Sequence, residues 1–249
     1  MNELSLFSGA GGGLLATKHL LGWKTIGYVE FEEDCQKTLA QRIKDGLLDE
    51  APIFTDIRSF TDSGFAELYK GITDVISGGF PCQPFSTSGK QRGEKDSRNM
   101  WPSTCQVIKI IKPKFVYLEN VPGLISCGYI GDVLKDLSEA GYNAKWITLG
   151  GGETGSICNG ERIWILAVKA NGPMLESMDF QKYIKPYSEE SCRRQFTGAI
   201  GSMLSQNDYS GVKRNPDAVA RGMVRLKAIG NGQDPIVAAT AWKILTGEP

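Results

Sequence analysis

Residues Gly78–Ser86, with the sequence GGFPCQPFS, place one thiol, Cys82, between two prolines. The segment before them, Thr73–Ser77, is short and apolar with β-branched residues, which predicts a buried strand leading into this loop. Each proline fixes its own φ angle and restricts the residue before it, so the backbone around Cys82 has few conformations. Most free cysteines are small buried hydrophobic residues, but residues 86–93 are polar and rich in glycine. The pattern favours an exposed functional loop that carries Cys82.

A glycine-rich turn lies near the start of the chain. Leu4–Phe7 is predicted as a first strand and Ser8–Gly13 as a tight turn into a helix that begins at Leu14. Glycines in such a turn let a ligand approach the backbone and leave helix N–H groups free for it. A second predicted strand, Thr25–Val29, ends at Glu30, where nucleotide-binding α/β folds place an acid that grips the ribose. The spacing is not G-x-G-x-x-G and no phosphate-binding lysine follows, which excludes a P-loop and disfavours a dinucleotide.

Two further predicted strands carry charged residues at one end. Phe115–Leu118 leads into Glu119, and Arg162 lies at the start of the apolar run Glu161–Val168. Ligands and catalytic groups gather outside the carboxyl ends of strands in open α/β sheets. We therefore expect Cys82 and Glu119 at one edge of the sheet. Taken alone, Glu119 would be read as a helix cap and Arg162 as a side chain that reaches solvent.

The remaining segments complete an alternating pattern. Helices are predicted for 100–111 and 130–140, and a strand for 142–149. Gly150–Ser156 is predicted as a flexible turn, and Ile236–Leu245 as a closing helix that packs back on the first strand. Together these segments predict an α/β fold with a mostly parallel, doubly wound sheet.

Composition excludes several classes of protein. The 249 residues include 28 basic and 28 acidic side chains, so a polyanionic partner would have to bind local basic patches. Six cysteines without a C-x-x-C pair argue against a zinc site and a disulfide framework, and fit a reducing cytosol. No apolar run approaches the roughly 18 residues of a membrane span, which predicts a cytoplasmic protein without a membrane partner. The single histidine, His19, argues against a Ser-His-Asp triad.

The stretch GGFPCQPFSTSGKQRG, residues 78–93, resembles the catalytic loop of the DNA (cytosine-5) methyltransferases. Matches in the order of that family cover most of residues 3–168 and 225–245. The resemblance implies a Rossmann-like, S-adenosylmethionine-dependent methyltransferase fold. It also implies a catalytic domain made of 1–168 and 225–249, with a small region similar to a target-recognition region at 169–224.

The resemblance implies a covalent mechanism with three catalytic residues. The Cys82 thiolate attacks C6 of a flipped-out cytosine, Glu119 acts at N3 and Arg162 holds O2, while the basic loop 88–98 closes on the DNA. No metal is implied. S-adenosylmethionine is the implied cofactor and S-adenosylhomocysteine the product, bound by Phe7, Gly9, Gly11, Glu30, Phe31, Asp56, Ile57, Phe80 and Asn231. Contacts to the DNA are expected from Gln83, Ser86, Ser88, Lys90, Arg98 and Asn120. Considered alone, Asp56 is more often a helix cap.

The sequence departs from the family at two places. The usual Q-x-R-x-R segment is replaced by residues 158–162, CNGER, and Asp234 stands where the family usually has an aliphatic residue. Two alternatives to a DNA methyltransferase stay open, of which the second is motivated by Cys158 and Gly160. One is an RNA (tRNA) cytosine-5 methyltransferase, although the loop after Cys82 is more similar to the DNA branch. The other is a catalytically weak nucleic-acid-binding or regulatory homologue.

The region 169–224 contains basic residues interleaved with aromatic ones, a combination that suits contact with nucleic acid, although a polar surface extension explains it nearly as well. The resemblance implies double-stranded DNA as the partner. A region this short reads few base edges. We therefore expect a short or relaxed target sequence, or a helper subunit. The resemblance also leaves a cognate restriction nuclease open as a partner, as it does the oligomeric state.

Overall fold

The computed structural model describes residues 1–81, 99–156, 160–170 and 232–247. Within these ranges the chain alternates between strands and helices. The strands are β1 Asn2–Leu6, β2 Lys24–Val29, β3 Ile53–Phe54, β4 Val75–Gly79, β5 Phe115–Asn120, β6 Tyr142–Leu149 and β7 Arg162–Lys169. The helices are α1 Gly12–His19, α2 Glu33–Lys44, α3 Ile57–Asp62, α4 Phe65–Leu68, α5 Trp101–Ile111, α6 Gly123–Ser126, α7 Ile130–Glu139, α8 Gly151–Thr154 and α9 Pro235–Thr246.

The seven strands form one sheet in the order β3-β2-β1-β4-β5-β7-β6. The first five strands in that order pair in parallel, whereas β7 runs antiparallel to both β5 and β6. The predicted α/β fold with a mostly parallel sheet is confirmed. Because β7 is reversed, its first residue lies at the edge where the parallel strands end. The carboxyl edge therefore collects the ends of β1, β2, β4 and β5 together with the start of β7.

Two large apolar clusters cover the two faces of the sheet, and a third, smaller cluster joins α1, α2 and β2. Side chains of α3, α4, α5 and α7 pack on one face, and those of α1 and α9 on the other. The closing helix α9 was expected on the first strand, but it packs beside α1 and over α8, β6 and β7. The aromatic surface formed by Tyr117, Trp164 and Trp23 explains this position, since Trp242 of α9 lies 4.6 Å from Trp23 and 5.3 Å from Tyr117 between ring centroids.

A buried acid lies in the middle of the sheet. Glu3 of β1 is fully buried and accepts hydrogen bonds from the hydroxyls of Thr17, Thr25 and Ser77. Burial raises the pKa of Glu3, and the three hydroxyls oppose that change. These bonds tie α1, β2 and β4 to β1, which fixes the frame below the carboxyl edge.

The segment Gly150–Ser156 was predicted as a flexible turn, and this is wrong. Residues Gly151–Thr154 form the short helix α8. The Glu153 carboxylate accepts a 2.7 Å hydrogen bond from the Gly150 N–H at the helix start, which offsets the low helix propensity of glycine. In the described residues, no helix is both long and apolar enough to cross a membrane.

Gly78 of β4 is in close contact with the neighbouring strand. A Cβ atom at this position would lie 2.5 Å from the main-chain oxygen of Leu6. We expect Gly78→Ala to lower the free energy of unfolding by about 1–3 kcal/mol, as overpacking in a core does. Urea unfolding measures this change. The matched control is Gly131→Ala, at an exposed position of α7. A Cβ there meets nothing within 4 Å, so alanine should be neutral or stabilising. Equal stabilities of the two variants would contradict this prediction.

Candidate active site

Glu119 and Arg162 meet at the carboxyl edge of the sheet. Glu119 is the fifth residue of β5 and Arg162 the first of β7, the antiparallel neighbour of β5. Arg162 Nε lies 3.0 Å from Glu119 Oε1, and Arg162 Nη1 also donates to the Glu161 carbonyl at 3.0 Å. Two of the three residues proposed as catalytic from sequence therefore form an ion pair.

The Glu119 carboxyl is almost completely buried. Burial raises the pKa of Glu119 to about 7, while Arg162 and a hydrogen bond from the Gln233 side chain act against the increase. A group with a pKa near neutrality can carry a proton at physiological pH and release it. Glu119 therefore has the protonation behaviour of a general acid or base.

The raised pKa of Glu119 predicts how stability depends on pH. The unfolded chain ionises Glu119 near pH 4.5, but the folded chain resists ionisation up to about pH 7. Folding is therefore penalised progressively as pH rises from 4.5 to 8, by about 3 kcal/mol in total, at about 1.4 kcal/mol per pKa unit. Below pH 4.5 both states are protonated and the penalty vanishes.

We expect Glu119→Gln to remove this penalty. Relative to the variant, the wild type should lose about 3 kcal/mol of unfolding free energy between pH 4.5 and 8. Urea unfolding at a series of pH values measures the difference. Glu67→Gln changes an exposed carboxylate on α4 and serves as the control. A difference between wild type and Glu119→Gln that stays constant with pH would refute the prediction.

The end of β4 runs directly beside Glu119. A Cβ on Gly79 would lie 2.5 Å from Glu119 Oε2, so only glycine allows this approach. The next residue, Phe80, is buried and its ring packs against Trp101 with centroids 5.2 Å apart. Asn120 donates from Nδ2 to the Phe80 carbonyl at 2.9 Å. The strand that leads to the proposed nucleophile is thus held against the strand that carries Glu119.

Asn120 was predicted to contact the substrate. The structure buries its side chain, with Nδ2 bonded to the Phe80 carbonyl and Oδ1 accepting from the Val121 N–H at 2.9 Å. The observed contacts are therefore those of a residue that fixes the loop backbone.

The glycine turn and Glu30 lie together at the ends of β1 and β2. Phe7, Gly9 and Gly11 have φ angles of 52°, 55° and 89°, the left-handed region that glycine tolerates and phenylalanine rarely adopts. Glu30 is buried and accepts from the Gly9 N–H at 2.6 Å and, through its other oxygen, from the Glu32 N–H at 2.8 Å. Burial raises the pKa of Glu30, and these backbone bonds oppose the change.

This corner has features of a ligand-binding surface. The α1 N-cap, Gly11, makes no side-chain capping bond, and a Cβ on Gly9 would meet nothing within 4 Å. The ring of Phe31, next to Glu30, is 71% exposed, unusual for a side chain of this size. An open glycine turn, a buried acid and an exposed aromatic ring can together hold a nucleoside.

Two further predicted cofactor residues begin α3. Asp56 caps the helix, accepting from the Arg58 N–H at 2.8 Å, so its role as a helix cap is confirmed. Its predicted contact with an adenine stays a prediction. The Ile57 side chain is buried in the core.

Sequence reasoning missed Gln233. Its Nε2 donates to Glu119 Oε2 at 3.5 Å, a long hydrogen bond. Nothing in its sequence context, directly before a helix, indicates this contact. Asp234, one of the departures from the family pattern, caps α9 by accepting from the Ile236 and Val237 N–H groups at 2.9 and 3.2 Å. Asp234 also accepts a hydrogen bond from the Ser156 hydroxyl.

Several predicted residues and two predicted regions lie outside the described residues. The regions are the basic loop 88–98 and nearly all of 169–224, of which only 169 and 170 are described. The residues are Cys82, Gln83, Ser86, Ser88, Lys90, Arg98 and Asn231.

Comparisons with known proteins identify the family of this chain. The family profile described as C-5 cytosine-specific DNA methylase matches residues 1–224. The type II methyltransferase M.NgoMIV of Neisseria gonorrhoeae is 29% identical over 212 residues, covering 84% of this chain and 62% of that protein. The type II methyltransferase M.FnuDI of Fusobacterium nucleatum is 33% identical over 219 residues, covering 86% and 59%. In both matches the chain spans less than two thirds of the relative.

A solved structure shares the fold. It is a putative DNA modification methyltransferase encoded within a prophage of E. coli, with a TM-score of 0.59 and 22% identity, covering 76% of this chain and 52% of that one. Since the family profile covers most of the chain, and since the residues that resemble the family's glutamate and arginine form an ion pair where the parallel strands end, the chain belongs to the C-5 cytosine-specific DNA methylase family.

Proposed function

We propose that the protein transfers a methyl group from S-adenosylmethionine to C5 of cytosine in double-stranded DNA. The observation that carries this proposal is the Glu119 carboxyl. It is buried, has a pKa of about 7, is paired with Arg162, and lies against the end of the strand that leads to Cys82. Membership of the family supports the same reaction.

The chemistry assigned to the site follows from the weakness of cytosine C5 as a nucleophile. Attack of the Cys82 thiolate on C6 breaks the aromatic π-system, and the electron pair moves through the ring. Glu119, protonated near neutral pH, donates a hydrogen bond or proton to N3 as the ring becomes electron-rich. Arg162 stabilises the charge that develops at O2. C5 then takes the methyl group and loses its proton to solvent. N3 returns its proton to Glu119, and the C6–sulfur bond breaks to restore the ring and the thiolate.

The target atom cannot be reached inside a duplex. The cytosine must therefore leave the helix, with the loop 88–98 closing behind it. Gln83, Ser86, Ser88, Lys90 and Arg98 are proposed to contact the DNA. Asn120 is proposed to support DNA contact indirectly. Its side chain donates to the carbonyl of Phe80, two residues before the nucleophile, and so fixes the backbone that leads into the loop.

The corner around Glu30 fits S-adenosylmethionine. When bound, this compound supplies a methyl group activated on a sulfonium. Glu30 would accept hydrogen bonds from the ribose hydroxyls, since a carboxylate has about four lone-pair sites and the Gly9 and Glu32 N–H groups use one on each oxygen. The exposed Phe31 ring would pack on the adenine. The remaining proposed contacts, as the resemblance implies them, come from Phe7, Gly9, Gly11, Asp56, Ile57, Phe80 and Asn231.

Incorporation of labelled methyl from S-adenosylmethionine tests the proposal. Mixed-sequence duplex DNA and total tRNA are offered separately and in competition, and mass spectrometry identifies the modified base. The proposal requires 5-methylcytosine in the duplex. Methylation of tRNA alone would instead establish the RNA activity, and binding of the cofactor without transfer to either would establish a regulatory homologue.

A further inference from the structure

Gln233 lies between the glycine turn and the proposed catalytic acid. It comes two residues before α9, and its side chain is partly buried. On one side its Nε2 donates to Glu119 Oε2 at 3.5 Å. On the other side it contacts the start of α1.

The contacts with α1 involve two glycines. A Cβ on Gly13 would lie 2.1 Å from Gln233 Oε1, and one on Gly12 would lie 2.5 Å from the main-chain oxygen of Gln233. Neither glycine has a positive φ angle, so backbone conformation does not require glycine at these positions. Gly12 and Gly13 are therefore needed for the approach of Gln233. In contrast, Gly9 and Gly11 have positive φ angles and shape the turn itself.

A third glycine makes room for the other end of the side chain. A Cβ on Gly79 would lie 3.3 Å from Gln233 Nε2, in addition to its contact with Glu119. The backbone beside Gln233 is also fixed, because Asp234 caps α9 and accepts from Ser156. Gln233 is thus packed between α1 and β4 with its amide directed at Glu119.

We infer that Gln233 is a positioning residue for Glu119, which orients the carboxyl by hydrogen bonding to Oε2 and joins it to the start of α1. The importance of this role for methyl transfer rests on the function proposed above. Arg162 binds Oε1 and Gln233 binds Oε2, so the two side chains together fix the plane of the carboxyl group.

The electrostatic consequence has a definite sign. Among the described residues, the charged and titratable groups that interact with Glu119 are Arg162, from β7, and the phenol of Tyr117, from β5 itself. A hydrogen bond from a neutral amide favours the ionised carboxylate and so lowers the pKa of Glu119. Removal of the Gln233 amide should therefore raise the pKa of Glu119 above its value in the wild type.

Carbon-13 NMR of protein labelled at the glutamate side-chain carboxyl tests this inference without any measurement of activity. The Glu119 resonance is assigned as the one missing from Glu119→Gln. We expect its titration midpoint to rise by on the order of one pH unit in Gln233→Met, which keeps the length of the side chain and removes the donor. Gln106→Met makes the same change on an exposed face of α5 and should leave the midpoint unchanged.

A second variant distinguishes loss of the hydrogen bond from a change in packing caused by the methionine at position 233. Gly13→Ala should displace the Gln233 amide and raise the midpoint in the same direction while Gln233 itself is retained. An unchanged Glu119 midpoint in both variants, with the fold intact by circular dichroism, would overturn the inference. If the midpoints rise but no variant or wild type methylates DNA, the proposed function fails and the positioning contact stands.

Discussion

Replacing Cys82 by serine is expected to lower the rate of methyl transfer to DNA by at least about 10⁴-fold, a loss typical of removing a covalent nucleophile. A free cysteine thiol has a pKa of about 8.5, so part of it is thiolate near neutral pH, whereas a serine hydroxyl stays protonated there. The site described here has no histidine that could activate a serine, because His19, the only histidine of the chain, is exposed and bonded to the Leu47 carbonyl. Serine at position 82 therefore cannot attack C6.

Cys82→Ser should lower the rate of methyl transfer and leave the binding of cofactor and duplex DNA unchanged. Single-turnover transfer of labelled methyl gives the rate, and cofactor and duplex binding are measured on the same preparations. The matched control is Cys127→Ser, an exposed cysteine whose thiol contacts only the Leu124 carbonyl among the bonds described. Transfer at the wild-type rate by Cys82→Ser would contradict the covalent mechanism.

A duplex with fluorine in place of the hydrogen at cytosine C5 provides an independent test. Release of the enzyme requires loss of a proton from C5, and fluorine cannot leave in that way. The wild type should therefore remain covalently attached to this DNA, detectable as a complex that survives denaturation. Cys82→Ser should form no such complex.

Replacing Glu119 by glutamine is expected to lower kcat/KM for methyl transfer by about 10²–10⁴-fold, the range typical of a general acid or base. Glutamine keeps the shape of the side chain and can still donate a hydrogen bond, but it cannot transfer a proton. It also removes the negative charge that pairs with Arg162. The variant thus distinguishes proton transfer to N3 from a role that needs only a side chain of this shape at position 119.

Loss of activity in Glu119→Gln cannot be attributed to unfolding if the pH-dependent penalty described above is present. At pH 8 the variant avoids the cost of ionising a buried carboxyl, so it should be as stable as the wild type or more so. Rapid-quench measurement of transfer, with urea unfolding at the same pH, gives both quantities. A Glu119→Gln protein with full activity would exclude a role of this proton in the reaction.

The position of Glu119 could be predicted from sequence, but its pairing with Arg162 could not. A strand followed by a charged residue places Glu119 at the carboxyl edge. The insertion of β7 between β5 and β6, reversed in direction, is a property of the sheet order and leaves no local pattern. Only this insertion brings Arg162 to within 3.0 Å of Glu119.

The glycines of the first turn also show which contacts could not be predicted from sequence. The glycines between Gly9 and Gly13 predicted a tight turn, and the positive φ angles of Gly9 and Gly11 confirm it. Ligand binding by this turn stays a prediction. Gly12 and Gly13 instead adjoin Gln233, some 220 residues away in sequence. A contact of that separation has no local signal. The short helix α8 was also missed, because its first turn depends on a side-chain bond from Glu153 that outweighs the propensity of three consecutive glycines.

The packing of α9 on α1 has a consequence for the order in which the protein is made and folds. About 220 residues separate the two helices, so their contact is among the most non-local in the chain. Contacts of this kind form late and slow the folding of a domain. At ribosomal rates of 5–20 residues per second, α9 is synthesised roughly 10–40 s after α1. During that interval the apolar face of α1, including Ala16, and the ring of Trp23 lack the cover of α9, and chaperones can bind there. The same delay keeps Gln233 away from Glu119, so the hydrogen bond between them can form only after Gln233 has been synthesised.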